Sequence, residues 1–198
     1  PFRVAVRRAL SRLPGGVITS WSDAASQPAA PTPTDPEWSG GTVFMDRQVM
    51  PTDTDADHLF WAFSRIGGRV GYYGLDWAWR IRGVLDRLVG GVGLRRGRRH
   101  PTEVRIGEAV DCWRVEDVVP GESLRLLAEM RLPGNAWLEW EIRETEFGTD
   151  LIQTAWFRPR GLAGRVYWYL MLIPHRIVFP RMAHRITAAA EERGFACR

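Results

Sequence analysis

Residues 161–193 read GLAGRVYWYLMLIPHRIVFPRMAHRITAAAEER, and the eight residues 166–173 are all apolar. Two helical turns with no polar side require burial on several sides. The chain before them looks like antiparallel strands, and a sheet curled round one long helix supplies that burial. Pro174 and Pro180 fall inside the stretch. Each removes a backbone donor and clashes with the preceding turn, at roughly 3 kcal/mol in a regular helix, so a break or strong kink is expected near 173–181. On this reading 161–173 is the gripped core, and the part after Pro180 is more amphipathic and lies along an edge.

Four strand-like runs precede the helix, at about 104–106 continuing to 110–119, 122–132, 135–144 and 149–158. Leu124, Leu126, Ala128, Met130 and Leu132 alternate with Arg125, Leu127, Glu129 and Arg131, and Leu138, Trp140 and Ile142 alternate with Glu139, Glu141 and Arg143. A two-residue turn at Pro133 and Gly134 mixes apolar with polar faces. A half-buried sheet resists that, because a one-residue slip turns every side chain over. A three-residue loop, Pro133, Gly134 and Asn135, pairs Met130 with Leu138, Ala128 with Trp140 and Leu126 with Ile142, and is the register expected. The resulting apolar face looks at the long helix.

Upstream lie a strand at 42–50, a helix at 55–66 capped by Asp53 or Thr54, and a helix at 75–89. Leu59, Phe60, Phe63 and Ile66 form the apolar face of the first helix. Trp77, Ile81, Val84, Leu85 and Leu88 share one side of the second. Tyr72 and Tyr73 fall in the turn between the helices. Residues 2–13 have the spacing of a short amphipathic helix, and 17–21 that of a short strand. Pro28, Pro31, Pro33 and Pro36 then give a linker composition. Residues 1–40 are therefore expected to be the tail of something upstream plus a tether, and 41–198 the domain itself. The start at Pro1 fits a fragment of a longer protein.

With 198 residues and 45% apolar content the chain can bury a sizeable core. All 27 basic residues are Arg, so Schiff-base and lysine-base mechanisms are excluded. A net charge of +4, with both signs interspersed, carries no nucleic-acid footprint. The two cysteines, Cys112 and Cys197, have neither disulfide-framework nor zinc spacing, which fits a reducing cytoplasm. No apolar run reaches the roughly 18–20 residues of a spanning helix.

The most distinctive segment is GGVGLRRGRRH at 90–100. Gly91, Gly93 and Gly97 approach a dinucleotide fingerprint, but a helix precedes them where that motif needs a strand. Arg95, Arg96, Arg98, Arg99 and His100 are instead a candidate anion site for phosphate or carboxylate. Glu139 and Glu141 share a strand face with Arg131 and Arg143 and read as surface charge pairing. His175 and His184 do not share a helix face as a metal pair would, and read as core-edge or solvated residues. No metal site and no catalytic residue is assigned.

The element order and several motifs carry a resemblance. Ile66-Gly67-Gly68, Gly71-Tyr72-Tyr73, the stretch WAWRIRG at 77–83, DRLVGGVGLRRGRRHP at 86–101, CWRVE at 112–116 and QTAWF at 153–157 resemble a bacterial family of unknown function within the helix-grip (SRPBCC, START-like) superfamily. Its members sit C-terminal to NAD(P)-binding domains of the atypical short-chain dehydrogenase/reductase type. The likeness spans about 42–190, and residues 1–21 resemble the end of such an upstream domain. It implies an α+β fold, a curved antiparallel sheet wrapped round a long, kinked C-terminal helix. It also implies a cavity for a small apolar molecule, with Tyr73, Trp113, Leu126, Met130, Trp140 and Tyr169 as candidate lining. The function implied is a ligand-binding or accessory domain of an oxidoreductase-like protein, with NAD(P) upstream and no cofactor here. A cyclase- or hydratase-like enzyme and a docking module are the alternatives.

Overall fold

The chain divides into two compact units, Pro1–Gly40 and Gly41–Arg198. The computed structural model describes residues 42–196 except 75, 89, 92, 94–97, 101 and 147. The helix, strand and linker expected within 1–40 lie outside the described residues. The elements in order are β1 (Phe44–Thr52), α1 (Ala56–Ser64), α2 (Asp76–Leu88), β2 (Ala109–Val110), β3 (Trp113–Val119), β4 (Ser123–Ala128), β5 (Gly134–Thr145), β6 (Gly148–Pro159) and α3 (Gly161–Ala196). The six strands form one antiparallel sheet in the order β1-β6-β5-β4-β3-β2. This is the expected fold class: an α+β helix-grip, with the sheet curved round a long C-terminal helix.

The apolar face is the one the alternation gives. Leu124, Leu126, Leu138 and Trp140 are all buried, each at 1% exposure or less. The pairing differs, however: Leu126 lies opposite Leu138 and Leu124 opposite Trp140. This is four residues from the expected register, and an even shift keeps each residue on its own face. No tight hairpin closes at Pro133. The segment after Ala128 leaves β5: Glu129 N donates to Cys112 O at 2.9 Å and Arg131 N to Asp86 Oδ1 at 2.8 Å. Gly134 instead opens β5 against Pro159, where a Cβ would overlap the Arg158 carbonyl.

The long helix corrects a second expectation: it is not broken at either proline and runs as one element from Gly161 to Ala196. Pro174 and Pro180 free the carbonyls of Leu170 and Arg176, and both residues are exposed, so water can satisfy what the prolines cannot. The gripped portion is also the opposite end. Phe179, Met182, Ala183, Ile186, Thr187 and Ala190 are the buried positions, with the 3-4-3 spacing of one helix face. Together with Leu59, Ala62 and Phe63 of α1, all fully buried, they form the core over the sheet. The apolar run 166–173 is largely not gripped: Val166 is 50% exposed, Tyr169 62%, Leu170 64% and Ile173 72%.

Within this first half, burial falls on Gly164 and Trp168. Any Cβ at Gly164 would overlap the Pro133 carbonyl, so the helix start is pressed onto the β4–β5 connection. Trp168 stacks on Phe44 at 5.3 Å and on Phe157 at 5.9 Å.

Helix α2 also presents a face other than the expected one. Ile81, Val84 and Leu88 are 52%, 54% and 77% exposed, while Trp79, Gly83 and Asp86 are buried. Their spacing turns one stripe inward, and side chains tie α2 to the body. Trp79 stacks on Tyr72 at 4.3 Å and meets Trp113 edge-on at 6.2 Å. Arg82 Nη1 donates to the Tyr167 hydroxyl at 2.9 Å.

Candidate functional site

Between α2, the concave face of the sheet and the first half of α3 lies a cavity of about 460 Å³. Trp79, Ile81 and Arg82 come from α2. Trp113, Leu138, Ala155 and Phe157 come from the strands, and Met130 and Leu132 from the β4–β5 connection. Tyr167, Trp168, Met171, His175 and Phe179 come from α3. Such a volume suits a drug-sized ligand, and an apolar wall with few polar groups is the usual chemistry of such sites. Five of the chain's ten tryptophans line it: Trp79, Trp113, Trp137, Trp156 and Trp168. The exposed Ile173 and Ile177 also line it, so its mouth is rimmed by apolar side chains.

Arg82 and His175 sit on this wall. At α2, the Arg82 guanidinium reaches Met130 Sδ through Nε at 3.1 Å and Tyr167 through Nη1. At α3, the His175 ring is clamped edge-on between Trp168 and Phe179, at centroid distances of 5.2 and 4.4 Å. Its Nδ1 lies 3.4 Å from Asp46 Oδ2 on β1. Gln48 Nε2 donates to the other Asp46 oxygen at 2.8 Å. The nearby His175 ring, with the hydrogen bond from Gln48, outweighs partial burial and holds the Asp46 carboxyl below its ordinary value of 3.8. A carboxylate with a depressed folded pKa stabilises the fold above its unfolded pKa and loses that contribution as pH falls through the folded one. Asp46→Asn is therefore expected to lower stability by about 1 kcal/mol at neutral pH. The gap should close only in acid below the ordinary carboxylate range, as read by urea unfolding at both pH values.

Sequence reasoning missed this pair. Asp46 and His175 lie on β1 and α3, far apart in the chain. The local signal was slight: Asp46 and Gln48 occupy the inward positions of β1, between Phe44 and Met50, while Met45 and Val49 point out at about half exposure.

The candidates chosen from sequence divide. Trp113 and Met130 line the cavity. Leu126 and Trp140 are fully buried in the core. Tyr73 donates its hydroxyl to Ala62 O at 2.6 Å, and burial pushes its pKa up to about 12. Tyr169 is 62% exposed, with its ring edge-on to Phe44.

Of the anion candidates, Arg95 and Arg96 lie outside the described residues. The Arg98 guanidinium donates to the carbonyls of Ser64, Ile66, His100 and Glu103, so it ties the end of α1 to the loop. Its pKa is lowered, chiefly by burial. Arg99 pairs with Glu108 at 2.5 Å, and His100 Nδ1 accepts from Glu103 N at 3.0 Å. The neighbouring glycines serve a buried carboxylate of the chain itself. Asp86 accepts from Gly93 N and Arg131 N, each at 2.8 Å, and a Cβ at Gly91 would overlap that carboxylate. Cys112, buried beneath Tyr72, has its thiol pushed up to about 12 by burial. Among the described residues no three metal-binding side chains gather, and no helix is long and apolar enough to cross a membrane.

Sheet, gripped helix and intervening cavity define a helix-grip domain. Residues 38–182 match the family described as protein of unknown function DUF2867, and the chain belongs to that family. No curated protein matches it. Solved structures are similar only at a distance. The di-domain ARO/CYC StfQ of the steffimycin biosynthetic pathway is 13% identical with a TM-score of 0.48, over 77% of this chain and 52% of that one. Norcoclaurine synthase from Thalictrum flavum is 11% identical with a TM-score of 0.47, over 76% and 88%. Protein CV1439 from Chromobacterium violaceum is 12% identical with a TM-score of 0.41, over 74% and 96%. At these values the likeness carries no chemistry across.

Proposed function

We propose that this domain binds a small, largely apolar molecule in the cavity between α2, the sheet and α3. The observation that carries the reading is the cavity itself, about 460 Å³ with indole, phenyl and thioether walls. Ala136, on the wall and only half-buried, offers a test that avoids overpacking the core. Naphthalene-type probes are expected to change the tryptophan emission of the wild-type protein saturably. Ala136→Phe should weaken that binding by about tenfold, the equivalent of ~1.4 kcal/mol, with the circular dichroism unchanged. Unaltered affinity in the variant would place the probe elsewhere.

A second reading, an acid–base enzyme of cyclase or hydratase type, has the Asp46–His175 pair in its favour. A carboxylate that orients one ring nitrogen leaves the other free to take or give a proton. If that is its role, Asp46→Asn lowers turnover more than it lowers ligand affinity. Equal losses confine the pair to binding.

The domain's setting is also part of the proposal: a cytoplasmic protein with an upstream NAD(P)-binding domain in the same chain. Support comes from the motif resemblance and from the exposed apolar seams on α2 and α3, Ile81, Val84 and Leu88 with Leu162, Val166, Leu170 and Ile173. Contiguous apolar surface of this kind marks contact sites. Arg95, Arg96, Arg98, Arg99 and His100 remain a proposed anion contact in that setting. With Arg98 and Arg99 already paired, it would rest mainly on the others.

A further inference from the structure

We infer that the cavity takes a planar, fused aromatic molecule with two unlike polar ends: a carboxylate or carbonyl oxygen held by Arg82 and an acidic hydroxyl held by His175. This rests on the cavity reading above and specifies its occupant.

The Arg82 end offers donors. A guanidinium has five N–H groups, and Arg82 uses one on Met130 Sδ and one on the Tyr167 hydroxyl. Its Nη2 group meets no acceptor among the described residues. One helical turn away, the Trp79 indole N–H is buried on the same wall without an acceptor. Donor-only groups on an apolar wall call for an oxygen acceptor, and a guanidinium matches the two oxygens of a carboxylate best.

The His175 end offers an acceptor. Nδ1 is buried against Asp46, so the carboxylate favours the tautomer with its proton on Nδ1. Nε2 then carries the lone pair and is the nitrogen left for the cavity. A hydroxyl meets that lone pair as a donor. An ether or a bare ring edge cannot make that contact.

The spacing sets the size. Tyr167, which holds Arg82, and His175 stand eight residues apart on α3, about 12 Å along a helix axis. A single benzene ring is too short to bridge this span, whereas a fused bicyclic ring substituted at both ends can. Trp113, Phe157 and Trp168 give the space an aromatic lining, which suits such a ring.

The test is calorimetric titration of the protein with 6-hydroxy-2-naphthoate, 2-naphthoate and 2-naphthol, which differ only in the two end groups. The hydroxy acid is expected to bind about tenfold or more tighter than either compound lacking one group, as charge-assisted hydrogen bonds warrant. His175→Phe should lower the hydroxy acid to the level of 2-naphthoate and leave 2-naphthoate within about twofold. Arg82→Met should likewise erase the advantage over 2-naphthol. Equal affinities for all three in the wild-type protein would overturn the two-ended assignment and leave the cavity standing. No binding of any of them would overturn both readings. The wild-type series decides the matter even if a variant fails to fold.

Discussion

Asp86→Ala is expected to destabilise the domain by about 3–5 kcal/mol, an effect out of proportion to one surface-helix carboxylate. Asp86 is 5% exposed and accepts from two backbone N–H groups, those of Gly93 and Arg131. Removing it orphans both donors at once. It also empties the space that Gly91 leaves by having no Cβ. For a domain of this size the loss corresponds to a fall in Tm of roughly 10 °C. Differential scanning calorimetry of wild type and variant checks it. A shift of 2 °C or less would mean that the 90–93 segment and the 129–133 connection hold their places without the carboxylate. Asp86→Asn should recover only part of the loss, because its amide keeps one acceptor oxygen and turns a donor toward a backbone N–H.

Trp140→Ala is expected to cost about 3–5 kcal/mol as well, by a different route. Trp140 is fully buried and stacks on Phe63 of α1 at 6.1 Å. Its Nε1 donates to Gln153 Oε1 at 3.0 Å, and Gln153 Nε2 donates to the Phe179 carbonyl at 3.1 Å. One indole therefore joins α1, the sheet and α3. Its removal leaves a cavity and breaks the first link of that relay. Chemical denaturation reads the loss directly. Gln153→Leu provides the comparison: it leaves the indole N–H without its partner but keeps most of the volume, and should cost less than Trp140→Ala. A larger loss for Gln153→Leu would make the polar relay, not the packing, the principal tie.

Much of the architecture was legible because strand periodicity is local. The alternation about Leu124, Leu126, Leu138 and Trp140 fixes which face is buried whatever the register. The register itself depends on where the chain turns. The β4–β5 connection is drawn away by Asp86 and Cys112, partners far away in sequence, so Pro133 and Gly134 only resembled a tight turn. On the long helix, the run 166–173 drew attention by its apolar content. Spacing was the better guide: the small and medium residues Ala183, Ile186, Thr187 and Ala190 recur at helical intervals and are the ones gripped. The apolar run instead supplies part of a cavity wall and an outward seam, where apolar side chains stand without close neighbours.

The site was less legible than the fold. Trp113 and Met130 could be chosen from strand parity and the family likeness. Arg82 belongs to a helix whose apolar stripe turned out to face outward, and nothing in α2 alone reveals that its inward stripe contains an arginine and a buried aspartate. Asp46 and His175 meet only because β1 pairs with β6 while α3 crosses the same face. Two polar residues, Asp46 and Gln48, on the inward face of a nine-residue strand give no local sign of their partner on α3.

The central claim is that the space between α2, the sheet and α3 is a ligand cavity, and methionine methyl NMR tests it at the site. The chain has five methionines. Met130 and Met171 line the cavity, whereas Met182 is in the gripped core and Met45 is half exposed on the outer face of β1. On titration with 2-naphthoate, ring currents are expected to move the Met130 and Met171 methyl signals saturably and in step, leaving Met45 and Met182 in place. Saturable shifts at Met45 or Met182 with Met130 and Met171 unmoved would contradict the account.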